Sequence, residues 1–369
     1  MSNIKDMYFN RNVGEFPETF EFNNIKFKKK EDLRYGTNPH QPAAIYEPEN
    51  YSGILGKYEI LKQGKSGLSQ TNIEDINHAA QILKFFSNPA CVVMKHLNPS
   101  GVACLRTDTE PLSTVYFRAR DCDAQAAFGS TVVFNTKVDN ETAVEIMQSI
   151  VENVAAPDFE PEAIETLKNN EKYGRNKQIR VIKIGDVSKL PKYIGDNFEY
   201  EIKVLSDGSM ILAAPYLSSI KTGDNLILPK ATDKTGNEIE IANPAEQNIL
   251  NDLLLAWYVC AGVRSNAVVI VKDGVTLAIG TGEQDRVGAV SQAIEKSQKK
   301  FKGPETLSGA SIASDGFFPF SDSIELIAKA GIKAIIQPGG SVKDYDVIKT
   351  CNQLGVSMYF TGERCFAHH

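Results

Sequence analysis

The sequence predicts an α/β protein built in two halves, and three observations predict it. Apolar runs bounded by turn residues, ACVVM at Ala90–Met94 and NAVVIVK at Asn266–Lys272, have the character of buried strands. Helical periodicity alternates with such runs on both sides of a polar middle stretch. The 369 residues also exceed the roughly 250–300 at which a single core stops growing, so two domains are expected, 1–205 and 206–369.

In chain order, Leu33–Gln41 (LRYGTNPHQ) reads as a loop, because Gly, Asn and Pro follow one another closely. Thr71-Asn72-Ile73-Glu74 has the pattern of a capping box and opens a helix carrying Ile73, Ile76, Ala80 and Leu83. Ser87-Asn88-Pro89 stops it, and the following strand ends at Lys95-His96. A second helix is expected near Pro111–Asp121 and a strand at Ser130–Asn135. A long helix then has Ala143, Ile146, Met147, Ile150, Val151 and Val154 on one face. The middle, Leu167–Asn243, holds short β-branched runs. Beyond it, NAVVIVK, Asp273-Gly274 and VTLAIG form a hairpin, and Gly280-Thr281-Gly282 leads into a helix near Gln284 with Arg286 in its first turn. Helix Ser323–Ala330, strand Lys333–Ile336, a Gly339-Gly340 loop, helix Tyr345–Leu354 and strand Val356–Phe360 complete a second half similar enough to the first to suggest a duplication.

The net charge of −6 leaves no basic excess to neutralise a nucleic-acid backbone, and Lys28-Lys29-Lys30 runs straight into Glu31-Asp32, as a solvated loop does. The six cysteines lack metal-ligand spacing and read as reduced, packed thiols. The opening MSNIKDMYFNRN has no apolar signal core, and no run approaches the ~18 apolar residues of a membrane helix, so a cytoplasmic location is expected.

Lys95-His96 sets a cation beside an imidazole where a sheet presents ligands to its crevice; the alternative is a solvated Lys and a His bonded to its turn. Gly280-Thr281-Gly282 before a helix offers N–H groups to an anion, with Arg286 as a guanidinium, but lacks the context of a dinucleotide site or phosphate loop. Ser314–Asp322 (SDGFFPFSD) holds three aromatic rings between acids, either core filling or a platform for flat heterocycles. The ending Arg364–His369 reads by itself as a frayed tail or tag remnant. His96-Leu97-Asn98 lacks the Glu of a zinc deaminase and no P-C-x-x-C follows; the serine-hydrolase elbow is also missing.

Eight ordered motifs, RYGTNPHQ, VVMKHLNPSGVA, DAQAAFGS, RSNAVVIVKDG, GTGEQDR, ASDGFFPFSD, IIQPGGSVKD and FTGERCF-x-H, resemble the AICAR transformylase (phosphoribosylaminoimidazolecarboxamide formyltransferase) domain of the bifunctional purine-biosynthesis enzyme, over about Leu33–His368. The IMP cyclohydrolase domain has no counterpart. The resemblance implies a tandem pair of cytidine-deaminase-like three-layer units, a homodimer with active sites at the interface, and formyl transfer from 10-formyltetrahydrofolate to the 5-amino group of AICAR in IMP biosynthesis. It implies no metal for the chemistry and no nucleic-acid or membrane partner. By motif position it implies Lys95, His96 and Asn266 as catalytic residues. Arg34, Tyr35, His96, Gly129, Glu152, Asn266, Arg286, Phe317, Arg364 and His368 would bind AICAR; Val287, Phe320, Asp322, Ser341 and Val342 would face the folate. In the family an acid on the first unit's long helix holds the ribose, and Glu152 matches it. Two stretches depart from the pattern: GKSGLSQTN (Gly64–Asn72) has an extra residue and no Tyr, and ILAAPYL (Ile211–Leu217) stands where the family has LLVQDRD. A nucleotide- or folate-binding protein without catalysis, or a formyltransferase with a different donor, are the competing readings.

Overall fold

The computed structural model describes Met7 and residues 10–50, 53–64 and 66–368; Lys65, His369 and most of MSNIKDMYFNRN lie outside the described residues. Strands β1 (Thr19–Phe22), β2 (Ile25–Asp32) and β3 (Ala44–Pro48) form a small antiparallel sheet. A first unit follows: β4 (Glu59–Lys62), α1 (Gln70–Leu83), β5 (Ala90–Lys95), β6 (Asn98–Cys104), α2 (Leu112–Cys122), β7 (Ser130–Phe134), α3 (Asn140–Gln148), β8 (Val151–Ala156), α4 (Pro161–Lys168) and β9 (Arg180–Lys183). Two hairpins, β10 (Glu201–Val204) with β11 (Met210–Ala213) and β12 (Lys230–Thr232) with β13 (Glu238–Glu240), occupy the connection. The second unit is α5 (Gln247–Cys260), β14 (Val268–Lys272), β15 (Val275–Gly280), α6 (Arg286–Lys300), β16 (Ser311–Ser314), α7 (Asp322–Lys329), β17 (Ala334–Gln337), α8 (Asp344–Leu354) and β18 (Ser357–Phe360). The expected boundary at 205/206 falls in the turn between β10 and β11.

Eleven strands make one sheet in the order β18-β17-β16-β14-β15-β6-β5-β7-β8-β9-β4. The first unit reads β6-β5-β7-β8-β9 and the second β15-β14-β16-β17-β18, with the same sequence of antiparallel and parallel pairings. The two α/β halves expected from the sequence are therefore repeats of one topology. Alternate strand residues face opposite ways, and both faces are buried. Val93, Val132, Val154, Ile270 and Ile335 pack with α2, α3, α4, α6, α7 and α8; Val92, Val133, Ala155, Val269 and Ile336 pack with α1 and α5, giving three layers.

The units meet where β6 pairs with β15 at Ala103↔Val275. Here the buried Thr276 hydroxyl accepts the Val102 N–H at 2.8 Å and donates to the Val102 carbonyl at 3.2 Å, while Cys104 N–H reaches Gly274 O at 3.1 Å. Because β5, β6, β15 and β14 alternate in direction, the end of β5 and the start of β14 share one edge of the sheet. The starts of β7, β8 and β9 and the ends of β16, β17 and β18 lie on it too.

Three expectations are corrected. The helix through Ala143 ends at Gln148: Ser149 is extended (φ −99°, ψ 161°), and Val151–Ala156 is the strand β8, held between β7 and β9. The capping box lies two residues earlier, where Ser69 Oγ accepts Asn72 N–H at 3.3 Å and Asn72 Oδ1 accepts Ser69 N–H at 3.1 Å. Lys28-Lys29-Lys30 is not a loop but part of β2, paired with β1 and β3. In β6, Gly101 lies so close to α2 that a Cβ would sit 2.0 Å from Ala119 O. All six cysteines are free; five are buried and Cys104 half-buried, and burial pushes the Cys104 thiol up to about 11.

Thr276→Val keeps the shape of the seam but orphans the Val102 N–H and C=O. It is expected to lower the unfolding free energy by about 2 kcal/mol in urea titration; a change near zero would mean that the seam does not depend on this hydroxyl.

Candidate active site

Lys95 closes β5, and His96 and Leu97 form the two-residue turn into β6, with φ of +50° and +64°. Such a turn favours Asn-Gly; holding two residues with Cβ atoms left-handed costs about 1–2 kcal/mol each. The conformation is held from α1, where buried Asp75 accepts Leu97 N–H at Oδ1 (2.9 Å) and the Thr131 hydroxyl at Oδ2 (3.2 Å). Burial pushes the Asp75 carboxyl up, and these two hydrogen bonds, with His96 and Lys95 nearby, act against that push. Lys95 Nζ donates to the carbonyls of Phe128 (3.0 Å) and Gly129 (2.7 Å), leaving one of its three protons for a ligand. Gly129 has φ +66°, and a Cβ there would stand 3.3 Å from Lys95 Nζ, so this approach needs glycine.

These residues line a cavity of about 560 Å³ with Arg34, Tyr35 and Glu152. Arg34 donates to Tyr35 Oη at 2.9 Å and lies 4.5 Å from that ring's centroid. The loop is tied to the start of α1 by Arg34 N–H to Leu68 O (2.7 Å) and Gln70 N–H to Tyr35 O (3.0 Å). Glu152 lies on β8, not on a helix, which is why its carboxylate reaches this edge. Behind it, fully buried Arg180 donates to Gly67 O (2.7 Å) and Asn153 Oδ1 (3.1 Å) and stands 4.0 Å from Glu152. Burial, then the neighbouring Arg34, lowers the Arg180 guanidinium to about 10.

A second cavity of about 560 Å³ opens on the same edge of the other unit, lined by Asn266, Arg286, Phe317, Gly339, Arg364 and Phe366 among others. Arg286 is the first residue of α6, after the N-cap Asp285. Its buried guanidinium is bonded to Asp315 and reaches Ala267 O (3.2 Å) and Asn266 Oδ1 (2.8 Å). Asn266 Nδ2 donates to Glu283 O at 2.9 Å. Asp315 also accepts the Ser265 hydroxyl at 2.6 Å, so of the two acids flanking the aromatic segment only Asp322 faces solvent. The three rings divide: Phe318 is core, whereas Phe317 and Phe320 are exposed. Of the other folate-side positions, Val287 and Ser341 are half-buried and Val342 fully exposed.

The Gly280-Thr281-Gly282 loop is not an anion cradle. Its N–H groups are taken by Gln292 Oε1 (2.8 Å, from Thr281) and Arg264 O (2.9 Å, from Gly282). The Thr281 hydroxyl instead donates to Asn98 Oδ1 at 2.9 Å, fastening the second unit to the turn that carries His96. A small cavity of about 160 Å³ touches Lys95, Asn98, Thr281 and Lys296 at this seam, and burial lowers the Lys296 ammonium. Nor is the C-terminal segment frayed: Cys365 is buried, its N–H meets Asp315 O (3.2 Å), and Ser265 N–H meets Ala367 O (3.0 Å). Arg364 and His368 stay exposed, each against the Phe366 ring. In the divergent ILAAPYL stretch, Tyr216 donates to Glu363 at 2.7 Å and so helps to hold the segment bearing Arg364.

Arg34, Tyr35, Lys95, His96, Gly129 and Glu152 thus share one cavity, and Asn266, Arg286, Phe317 and Arg364 the other. Three strand spacings, about 14 Å, separate the end of β5 from the start of β14, and Asn266 lines a different cavity from Lys95 and His96. Sequence reasoning missed Asp75, Arg180 and the pairing role of Asp315. Its available signals were a carboxylate on the apolar face of α1 and an arginine inside the strand run IRVI.

The family profile described as AICARFT/IMPCHase bienzyme matches residues 2–296. The bifunctional purine biosynthesis protein PurH of Clostridium perfringens is 38% identical over 356 residues, 96% of this chain and 61% of that protein. Its counterpart in Oceanobacillus iheyensis is 38% identical over 366 residues, 99% of this chain and 64% of its own. The chain therefore spans somewhat under two thirds of the length of these relatives. A dCMP deaminase from the cyanophage S-TIM5 in apo form aligns over 31% of this chain at 21% identity with a TM-score of 0.23, too loose a superposition to bear on the site.

Asp315→Ala would leave the Arg286 guanidinium buried without its counter-charge. The variant is expected to lose about 3–5 kcal/mol in denaturant unfolding; a loss under ~1 kcal/mol would show that the pair does not hold the second cavity together.

Proposed function

Because the chain belongs to the AICARFT/IMPCHase bienzyme family, we propose that it moves the formyl group of 10-formyltetrahydrofolate to the 5-amino group of AICAR, giving FAICAR and tetrahydrofolate. One observation carries this reading: the residues matched to the nucleotide, His368 apart, line two cavities at a single edge of the eleven-stranded sheet.

The 5-amino group is conjugated with the imidazole and carboxamide, so its attack must be coupled to proton removal. His96 accepts that proton as the new N–C bond to the formyl carbon forms. Negative charge collects on the formyl oxygen, and the remaining Lys95 proton faces it. Collapse breaks the bond between the formyl carbon and the folate nitrogen, which takes a proton from Lys95. None of these steps calls on a metal. Arg34 and Arg364 are the cations for the phosphate, Glu152 the acceptor for the ribose, and exposed Phe317 the surface for the flat base.

Since Asn266 and His96 line different cavities, the reading includes a homodimer in which each site joins the first unit of one copy to the second unit of the other. The exposed Phe320 and Val342, with Val287, Asp322 and Ser341, then face the folate. Among the described residues no helix is long and apolar enough to cross a membrane, and a cytoplasmic location accompanies the proposal.

The direct assay follows tetrahydrofolate formation from AICAR and 10-formyltetrahydrofolate. His96→Ala is expected to lower kcat by about 10²–10⁴-fold; near-normal turnover would remove His96 as the base. Arg364→Ala is expected to raise the KM for AICAR by about 10-fold or more with a smaller effect on kcat, and an unchanged KM would refute its contact with the nucleotide.

A further inference from the structure

A polar chain runs under the cavity of the first unit through four elements. Leu97 N–H and the Thr131 hydroxyl both donate to Asp75; Asn153 Nδ2 donates to Thr131 Oγ1 at 2.8 Å; Arg180 Nη1 donates to Asn153 Oδ1 at 3.1 Å, with Glu152 4.0 Å beyond. Asp75, Thr131, Asn153 and Arg180 are all buried, although each could have been apolar in a strand or helix packed as these are. The chain begins at a turn whose two central residues are left-handed without being glycine, and it ends beside the carboxylate that closes the same cavity. Burying a carboxylate and a guanidinium is unfavourable unless their geometry is satisfied throughout, so such a chain keeps one arrangement of its ends in preference to others.

We propose that Asp75 is the positioning residue for His96: anchored through Thr131, Asn153 and Arg180, its carboxylate locks the His96–Leu97 turn left-handed and so holds the imidazole on the cavity wall beside Lys95. The proposal deepens the formyltransferase reading and rests on it for the role of His96, but the hold on the turn can be measured without turnover. Lys95 is fixed separately, by the Phe128 and Gly129 carbonyls, so loss of Asp75 releases the imidazole and not the ammonium.

The test uses the full chain with Asp75→Ala, Asp75→Asn and Thr131→Val. Hydrogen exchange at the Leu97 amide reads the turn, and steady-state kinetics with AICAR reads its consequence. Asp75→Ala is expected to speed Leu97 exchange by about 10-fold or more. It should lower kcat by about 100-fold while the KM for AICAR stays within about threefold. Asp75→Asn, which keeps an oxygen for Leu97 N–H, is expected to restore both the protection and most of kcat. Thr131→Val removes only the lower anchor and should fall between Asp75→Asn and Asp75→Ala; it also serves if the alanine variant does not fold. Unchanged Leu97 exchange in folded Asp75→Ala or Thr131→Val would overturn the proposal. So would an asparagine variant as impaired as the alanine one, or a loss that appears in KM and leaves kcat alone. If the wild-type chain transfers no formyl group, the Leu97 exchange pattern still decides whether Asp75 holds the turn, and the formyltransferase reading falls by itself.

Discussion

Two repeated units become one sheet at a short contact, Ala103↔Val275, where a threonine hydroxyl does the hydrogen bonding that a neighbouring backbone would otherwise supply. The sense of that pairing decides everything at the site. Because β6 and β15 run antiparallel, the ends of β5, β16, β17 and β18 and the starts of β7, β8, β9 and β14 all emerge on one side. A parallel seam would have put the Lys95–His96 turn and the Asn266–Arg286 group on opposite sides of the molecule. The Asn98 contact with Thr281 reinforces the arrangement, since it ties the strand that follows the Lys95–His96 turn to the loop after β15 of the other unit.

Along this edge charged groups are buried or half-buried in pairs or chains. Arg286 is neutralised by Asp315, Arg180 is bonded to Asn153 and Gly67, and Glu363 receives Tyr216, the Ser218 hydroxyl at 2.6 Å and Ser219 N–H at 2.8 Å. Each group would be costly alone, and together they fix the segments that carry the more accessible residues: exposed Arg364 beside Glu363, exposed Phe317 beyond Asp315, and half-buried Glu152 on β8 beside Arg180. The exposed side chains can then meet a ligand without also having to hold the backbone.

Much of this was legible in the sequence because local chemistry dictated it. Apolar runs such as Ala90–Met94 are strands wherever they occur in a doubly covered sheet, and Asp273-Gly274 can hardly be anything but a hairpin turn. What failed had its cause far away in the chain. Val151 and Val154 continue the spacing of α3, but Ser149 turns the chain out without Gly or Pro, and partners in β7 and β9 draw it into the sheet. Helix α5 is apolar on nearly all sides because it lies under the sheet, which erases the amphipathic signal. Gly280-Thr281-Gly282 has the local pattern of an anion site, but Gln292, Arg264 and Asn98 take up its donors. Asp75 and Arg180 were invisible for the same reason, since their partners are 22 and 113 residues away.

As proposed, formyl transfer draws Lys95 and His96 from one copy and Asn266 from another. Mixing the separately purified Lys95→Ala and Asn266→Ala variants under conditions that let subunits exchange tests it most directly. Each variant alone should be nearly inactive. If the sites join two copies, half the exchanged dimers are mixed and each carries one intact site, so about a quarter of the wild-type activity should return. A mixture that exchanges subunits yet stays inactive would contradict the claim.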